Sequence, residues 1–170
     1  DMLMRRMLST VHADLSEADF RAFRQEYDRR YESEPMKLVV PYPGLPELLG
    51  ELKAKGLRLG VLSNKPDNMT RYIAGELYGG LLDEARGQRE GVPKKPDPTA
   101  VLDLAASLGA APDEVLYVGD SGVDMETGSR AGMDPCGVLW GFRNREELLP
   151  HGAKFLAADA NELRKLTLPK

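Results

Sequence analysis

Cysteine is nearly missing from this sequence: Cys136 stands alone among 170 residues. A single thiol excludes an internal disulfide and fits a reducing compartment. The two histidines, His12 and His151, add too few ligands for a zinc site of the Cys/His type. Long apolar runs are missing as well. None approaches the ~18–20 residues needed to span a bilayer, and no secretory pattern opens the chain. There is no Lys/Arg block either, and the formal net charge of −4 argues against non-specific nucleic-acid binding. What remains is ordinary globular composition, 29% charged and 42% hydrophobic, with enough length for one good core. A cytoplasmic domain without membrane or nucleic-acid partners is the expectation. The sequence does not specify an oligomeric state.

The chain opens on Asp1-Met2-Leu3-Met4-Arg5-Arg6, in the middle of a helix-like pattern, as a cut rather than a natural beginning would. The first forty residues read as helix. Ser16 and Asp19 form a weaker relative of the capping box, and Phe20, Phe23, Tyr27 and Tyr31 follow at spacings of three or four. Four aromatics on one helical face are best read as packing. Glu34-Pro35 closes that helix. The Pro/Gly-rich connector Val39-Val40-Pro41-Tyr42-Pro43-Gly44 is the best domain boundary.

Beyond it, strands alternate with helices. Pro46 opens a short helix that Gly56 can terminate. Strand-like runs occupy 57–62, 115–118 and 137–140, with weaker ones near Ala85-Arg86 and at Phe155-Leu156-Ala157. Helices fit 69–77, 99–108 (with Thr99 as cap), 123–131, 145–149 and 161–166. This alternation predicts an α/β fold, a parallel sheet with helices on both faces. In such sheets ligands lie beyond the carboxyl ends of the strands.

That rule selects three clusters. Ser63-Asn64-Lys65 supplies a hydroxyl, an amide and an expected helix N-terminus suited to an anion, although Ser and Asn are also ordinary N-caps. In Gly119-Asp120-Ser121-Gly122-Val123-Asp124, two carboxylates four residues apart can face one point. They suit a hard divalent ion such as Mg²⁺, or else merely cap a turn and complement a helix dipole. In Lys94-Lys95-Pro96-Asp97-Pro98, a lysine restrained by proline can deliver a point charge to a phosphate, or can sit on a solvated turn.

Taken together and in this order, the clusters closely resemble the haloacid dehalogenase-like hydrolase superfamily, from about Tyr42 to the end. Ser63 matches its second motif, Lys95 its third, and Asp120 with Asp124 its fourth. Wider stretches resemble the phosphoglycolate phosphatase branch: Pro41-Tyr42-Pro43-Gly44, Val61-Leu62-Ser63-Asn64-Lys65-Pro66, Arg86-Gly87-Gln88-Arg89-Glu90-Gly91-Val92-Pro93 and Gly137-Val138-Leu139-Trp140-Gly141-Phe142. The resemblance implies a Rossmann-like core over 41–170 and the end of an α-helical cap over 1–40. It implies that Asp120 ligates Mg²⁺ directly and that Asp124 acts through water or a second contact. Ser63 and the backbone N–H of Asn64 would bind phosphoryl oxygens, and Lys95 would neutralise phosphoryl charge and position the nucleophile. Lys65 and Lys94 are surface lysines near an anionic substrate, while Cys136 and Trp140 read as packing.

The match breaks at one place. The family begins with a strand ending in Asp-x-Asp-Gly-Thr, whose first Asp attacks phosphorus, and this sequence contains no Asp-x-Asp. Truncation of a longer protein is the simplest reading, and a natural pseudo-enzyme is the other. The sheet is then expected to lack a middle strand. Enzymes accelerate phosphate-monoester hydrolysis by up to ~10²¹, about 28 kcal/mol, and charge stabilisation alone does not supply the attacking carboxylate. The implied function is a Mg²⁺-dependent phosphatase of a small phosphorylated metabolite, 2-phosphoglycolate first, with this chain inactive by itself. A pyrophosphatase, another sugar-phosphate phosphatase, a phosphosugar mutase and a non-catalytic interaction module are the alternatives.

Overall fold

The computed structural model describes residues 2–11 and 14–168, so Asp1 and His12 lie outside it. The chain divides into two units, Asp1–Val39 and Val40–Lys170. In the first, α1 (Met2–Thr10) and α2 (Glu17–Ser33) are helical. The Ser16 hydroxyl accepts from the Asp19 N–H at the start of α2, as the spacing predicts. Phe20 is buried under Arg5, whose guanidinium lies 4.1 Å from the ring centroid. Tyr27 and Tyr31 stack with centroids 6.1 Å apart, so the aromatic stripe is used for packing.

The second unit runs α3 (Leu45–Ala54), β1 (Gly60–Pro66), α4 (Asp67–Tyr78), β2 (Glu84–Gln88) and α5 (Thr99–Ser107), then β3 (Leu116–Gly119), α6 (Gly122–Arg130), β4 (Asp134–Val138), α7 (Arg145–Leu148), β5 (Phe155–Ala157) and α8 (Ala160–Thr167). Every strand pairing is parallel. The strands form two sheets rather than one: β1 with β2, and β3-β4-β5. No ladder joins β1 to β3 among the described residues.

Helices cover the strands by burying apolar faces. Leu48 and Leu52 of α3 and Leu163 of α8 pack with Cys136 and Ala157. Val101 and Ala105 of α5 pack with Ala131 and Met133. The buried Cys136 thiol is pushed up to about 11 by desolvation, consistent with a packing role. No described helix is long and apolar enough to cross a membrane.

Several boundaries depart from the sequence expectation for identifiable reasons. The run 57–62 was expected to be strand throughout, yet β1 starts only at Gly60. Asp83 captures the preceding segment, accepting from the Leu59 N–H at 2.8 Å and from Arg58 at 2.8 Å. Ser63-Asn64-Lys65 lie within β1, which extends to Pro66 opposite Gln88, and α4 follows directly from Asp67, two residues before the expected start at 69. Thr99 is the first residue of α5 rather than its cap. The Asp97 carboxylate accepts from the Thr99 N–H at 2.9 Å instead. The strand expected at 137–140 lies earlier, at 134–138.

Asp83 also receives Lys53 Nζ at 2.6 Å. Its hydrogen bonds from Lys53 and from Leu59 hold its carboxyl at about 2. A depressed folded-state value means that the stabilisation is fully present above the ordinary carboxylate range and is lost as pH falls from about 4 through about 2. Asp83→Asn is expected to destabilise the chain at pH 7 by about 1–3 kcal/mol. Thermal melts should show that deficit shrinking as the pH is lowered through this window. An unchanged deficit at pH 2.5 would contradict the assignment.

Candidate active site

One buried ion pair lies between β1 and the turn that follows β3. Lys95 Nζ lies 2.6 Å from Asp124 Oδ1, and each side chain is only 12% and 11% exposed, respectively. The same ammonium reaches the Leu62 carbonyl of β1 at 3.4 Å. Burial alone would pull Lys95 down, but the Tyr117 hydroxyl and the Asp124 carboxylate beside it outweigh that, and its pKa is raised. Lys95 is therefore a fixed cation. Tyr117 is itself raised, by burial first.

Each member of the pair is held by neighbours. The Asn64 side chain brackets the lysine backbone: its Oδ1 accepts from the Lys95 N–H at 3.1 Å, and its Nδ2 donates to the Lys95 carbonyl at 3.4 Å. The second Asp124 oxygen accepts from the Ser121 hydroxyl at 2.5 Å, and Ser121 caps α6 by accepting from the Asp124 N–H. Gly119 makes room for this carboxylate, because a Cβ there would lie 2.2 Å from that of Asp124.

Ser63 and Asp120 flank the pair in sequence and are tied separately. Ser63 Oγ accepts from the Lys65 N–H at 3.1 Å, which leaves its hydroxyl proton free to donate. Asp120 Oδ2 accepts from the Phe142 N–H at 3.0 Å. Gly141 packs directly on it, since a Cβ would lie 2.3 Å from that of Asp120. The other Asp120 oxygen has no protein donor among the described residues.

The donor set bears on a metal. Among the described residues there is no group of three His, Cys, Asp or Glu side chains. Mg²⁺ does not need one, since it commonly keeps several waters and takes one or two carboxylates with substrate phosphate oxygens. Asp120 fits as the direct ligand, with an oxygen to spare. Asp124, occupied by Lys95 and Ser121, fits an indirect place.

A family model for haloacid dehalogenase-like hydrolases matches residues 2–132. This chain belongs to that family. It is 37% identical over 133 residues to the phosphoglycolate phosphatase of Aquifex aeolicus, covering 75% of this chain and 62% of that protein. It is 33% identical over 153 residues to the N-acetylmuramic acid 6-phosphate phosphatase of Pseudomonas aeruginosa, covering 88% of this chain and 67% of that one. The chain thus spans about two thirds, or less, of the curated relatives it matches. Among solved structures, a candidate phosphoglycolate phosphatase of Lactobacillus delbrueckii subsp. bulgaricus superposes with a TM-score of 0.85 at 30% identity, covering 91% of this chain and 65% of that one. A haloacid dehalogenase-like family protein of Streptococcus pneumoniae gives 0.80 at 20% identity, over 93% of this chain and 74% of that one, and shows the same fold.

The structure joins Asn64, Lys95 and Asp124 in one hydrogen-bonded unit, whereas Ser63 and Asp120 are positioned by Lys65 and Phe142. Sequence reasoning missed Ser121, Tyr117, Gly141 and the side-chain role of Asn64. Only Ser121 was signalled locally, by its cap spacing to Asp124.

Lys95→Met leaves Asp124 buried without its cation, and is expected to cost about 3 kcal/mol in urea unfolding. Adding Asp124→Asn should recover part of that loss. Strictly additive single and double losses would contradict the pair.

Proposed function

We propose that this chain is the phosphate- and metal-handling part of a Mg²⁺-dependent phosphatase acting in the cytoplasm on a small phosphorylated metabolite, with 2-phosphoglycolate the first substrate to try. The observation that carries this reading is the buried Lys95–Asp124 pair, which lies between β1 and the first turn after β3. A cation fixed in a low-dielectric pocket stabilises phosphoryl charge far better than one in water.

Lys95 has three ammonium donors. Two point to Asp124 and the Leu62 carbonyl, the Tyr117 hydroxyl lies beside the same ammonium, and a phosphoryl oxygen would take the place of one of these neutral partners. Ser63 adds a hydroxyl donor and Asn64 a backbone N–H. Asn64 also fixes where the lysine sits, so the charge needs no reorganisation when substrate arrives. Mg²⁺ held by Asp120, with Asp124 behind it, supplies further neutralisation of the phosphoryl group.

The attacking group is not among these 170 residues, since no Asp-x-Asp occurs. The reaction proceeds through an aspartyl-phosphate on a carboxylate from a segment that occupies the gap between β1 and β3. By this reading 1–40 is the end of a helical cap and 41–170 is the core without its first strand. The N-acetylmuramic acid 6-phosphate phosphatase relative makes a sugar phosphate the second substrate to assay.

Two measurements test the reading. The 170-residue chain should bind inorganic phosphate weakly, at about millimolar affinity or ~4 kcal/mol, with Lys95→Met abolishing the binding and Asp120→Asn removing its Mg²⁺ dependence. The same chain should release no phosphate from 2-phosphoglycolate, whereas a version extended to the length of the relatives should release it in a Mg²⁺-dependent way. Turnover by a mass-verified 170-residue chain would overturn the assignment of the nucleophile. A moved rather than released phosphate would indicate the mutase reading. No phosphate binding in any form would favour a non-catalytic module.

A further inference from the structure

The ladder between β1 and β2 breaks at the residues assigned to phosphate. Leu62 pairs with Arg86 and Pro66 pairs with Gln88. Ser63, Asn64 and Lys65 therefore stand opposite Gly87 alone, three residues against one. A bulge leaves its extra residues out of the ladder and bends the strand, and bulges beside active sites re-aim side chains. Here the extruded residues carry the Ser63 hydroxyl and the Asn64 side chain that brackets Lys95.

The break leaves a donor to be satisfied. Gly87 is buried, so its N–H would be costly without an acceptor. That N–H donates to Asp67 Oδ1 at 2.8 Å. Asp67 is the first residue of α4, directly after β1. Its other carboxylate oxygen accepts from Arg71 Nε, one helical turn on, at 2.7 Å. The Gly87 N–H first, and Arg71 second, hold the Asp67 carboxyl below the usual carboxylate range.

Further contacts close the bulge. The hydroxyl of the buried Thr70 lies 3.1 Å from the Pro66 carbonyl oxygen and 3.4 Å from that of Lys65. No side chain fits at position 87, where a Cβ would lie 2.5 Å from the Lys65 carbonyl oxygen and 2.5 Å from Thr70 Oγ1. On the other side of that residue, the Lys65 N–H donates to Ser63 Oγ. A continuous path thus runs from Asp67 through Gly87 and Lys65 to the Ser63 hydroxyl.

We propose that Asp67 is a positioning residue which, by taking the Gly87 N–H, fixes the bulge and aims the Ser63 hydroxyl before a phosphoryl group arrives. Donors held in place in this way need no rearrangement when the charge appears. The inference deepens the phosphatase reading and rests on it. Asp67 acts through Ser63, not on the substrate itself.

The test titrates inorganic phosphate into the isotope-labelled 170-residue chain at fixed ionic strength, following backbone amide shifts, and measures hydrogen exchange at the Gly87 amide. Asp67→Ala should speed that exchange about tenfold or more and weaken phosphate binding about fivefold. Asp67→Asn keeps an accepting oxygen, and should hold both quantities within about twofold of the parent. Arg71→Ala removes only the outer partner, and should also stay within about twofold. Ser63→Ala should weaken binding as Asp67→Ala does, and the double variant should be little worse than either, because both act through one hydroxyl. Should Asp67→Ala not fold, Asp67→Ser shortens the side chain while keeping a residue suited to a helix start.

Unchanged exchange at Gly87 in Asp67→Ala would overturn the tie itself. Faster exchange with unchanged phosphate affinity, while Ser63→Ala weakens it, would overturn the positioning role alone. So would full additivity of the two substitutions, or a loss in Asp67→Asn as large as in Asp67→Ala. If neither Ser63→Ala nor Lys95→Met weakens phosphate binding, the phosphatase reading falls and this inference falls with it.

Discussion

The Lys95–Asp124 pair is the contact on which the site and the arrangement of its strands both depend. No ladder connects β1 to β3 among the described residues, yet Lys95 spans from the Leu62 carbonyl to the first turn of α6. A buried ammonium and carboxylate are tolerated only when both are paired and their remaining hydrogen-bonding capacity is met. That requirement propagates outward. Ser121 must supply a hydroxyl, position 119 must be glycine to admit the carboxylate, and Asn64 must hold the lysine backbone. The electrostatic demand of one pair thus fixes the chemistry at the ends of two sheets.

The apolar core meets a different requirement. Helices α3 and α8 close over Cys136 and Ala157, while α5 closes with Met133 and Ala131. These contacts are non-directional and scale with area, so they hold the layers without deciding where a charge points. The direction comes from the polar contacts at the strand ends. Phe142 shows the same division of labour: its backbone N–H orients Asp120 although the residue is 84% exposed.

The alternation of short apolar runs with helical periods made the element order readable, because both signals are local. Ser16 and Asp19, and equally Ser121 and Asp124, announce helix starts within four residues. What sequence spacing could not show are contacts between distant positions. Asn64 and Lys95 are 31 residues apart, and Asp120 and Phe142 are 22 apart. Nothing in either segment encodes the other. The late start of β1 has the same origin, since Asp83, outside the segment, decides it. The order of the clusters could therefore nominate candidate residue types, but not their hydrogen-bond partners.

The cleft between β1 and β3 and the phosphate chemistry converge on Lys95 for a physical reason. A charge stabilises a transferring phosphoryl group best when water is kept from the space behind it. That space is a cleft of about 810 Å³, lined by apolar residues of β1 and β3 and also by charged ones such as Asp113, Glu114 and Asp124. A strand lying there would satisfy both edges, bury Val61 and Val118, and remove the solvent that screens the ammonium from one side. On the phosphatase reading proposed above, completion of the sheet and of the charge environment would be one event, because the lysine that links β1 to α6 would also be the cation offered to the phosphate.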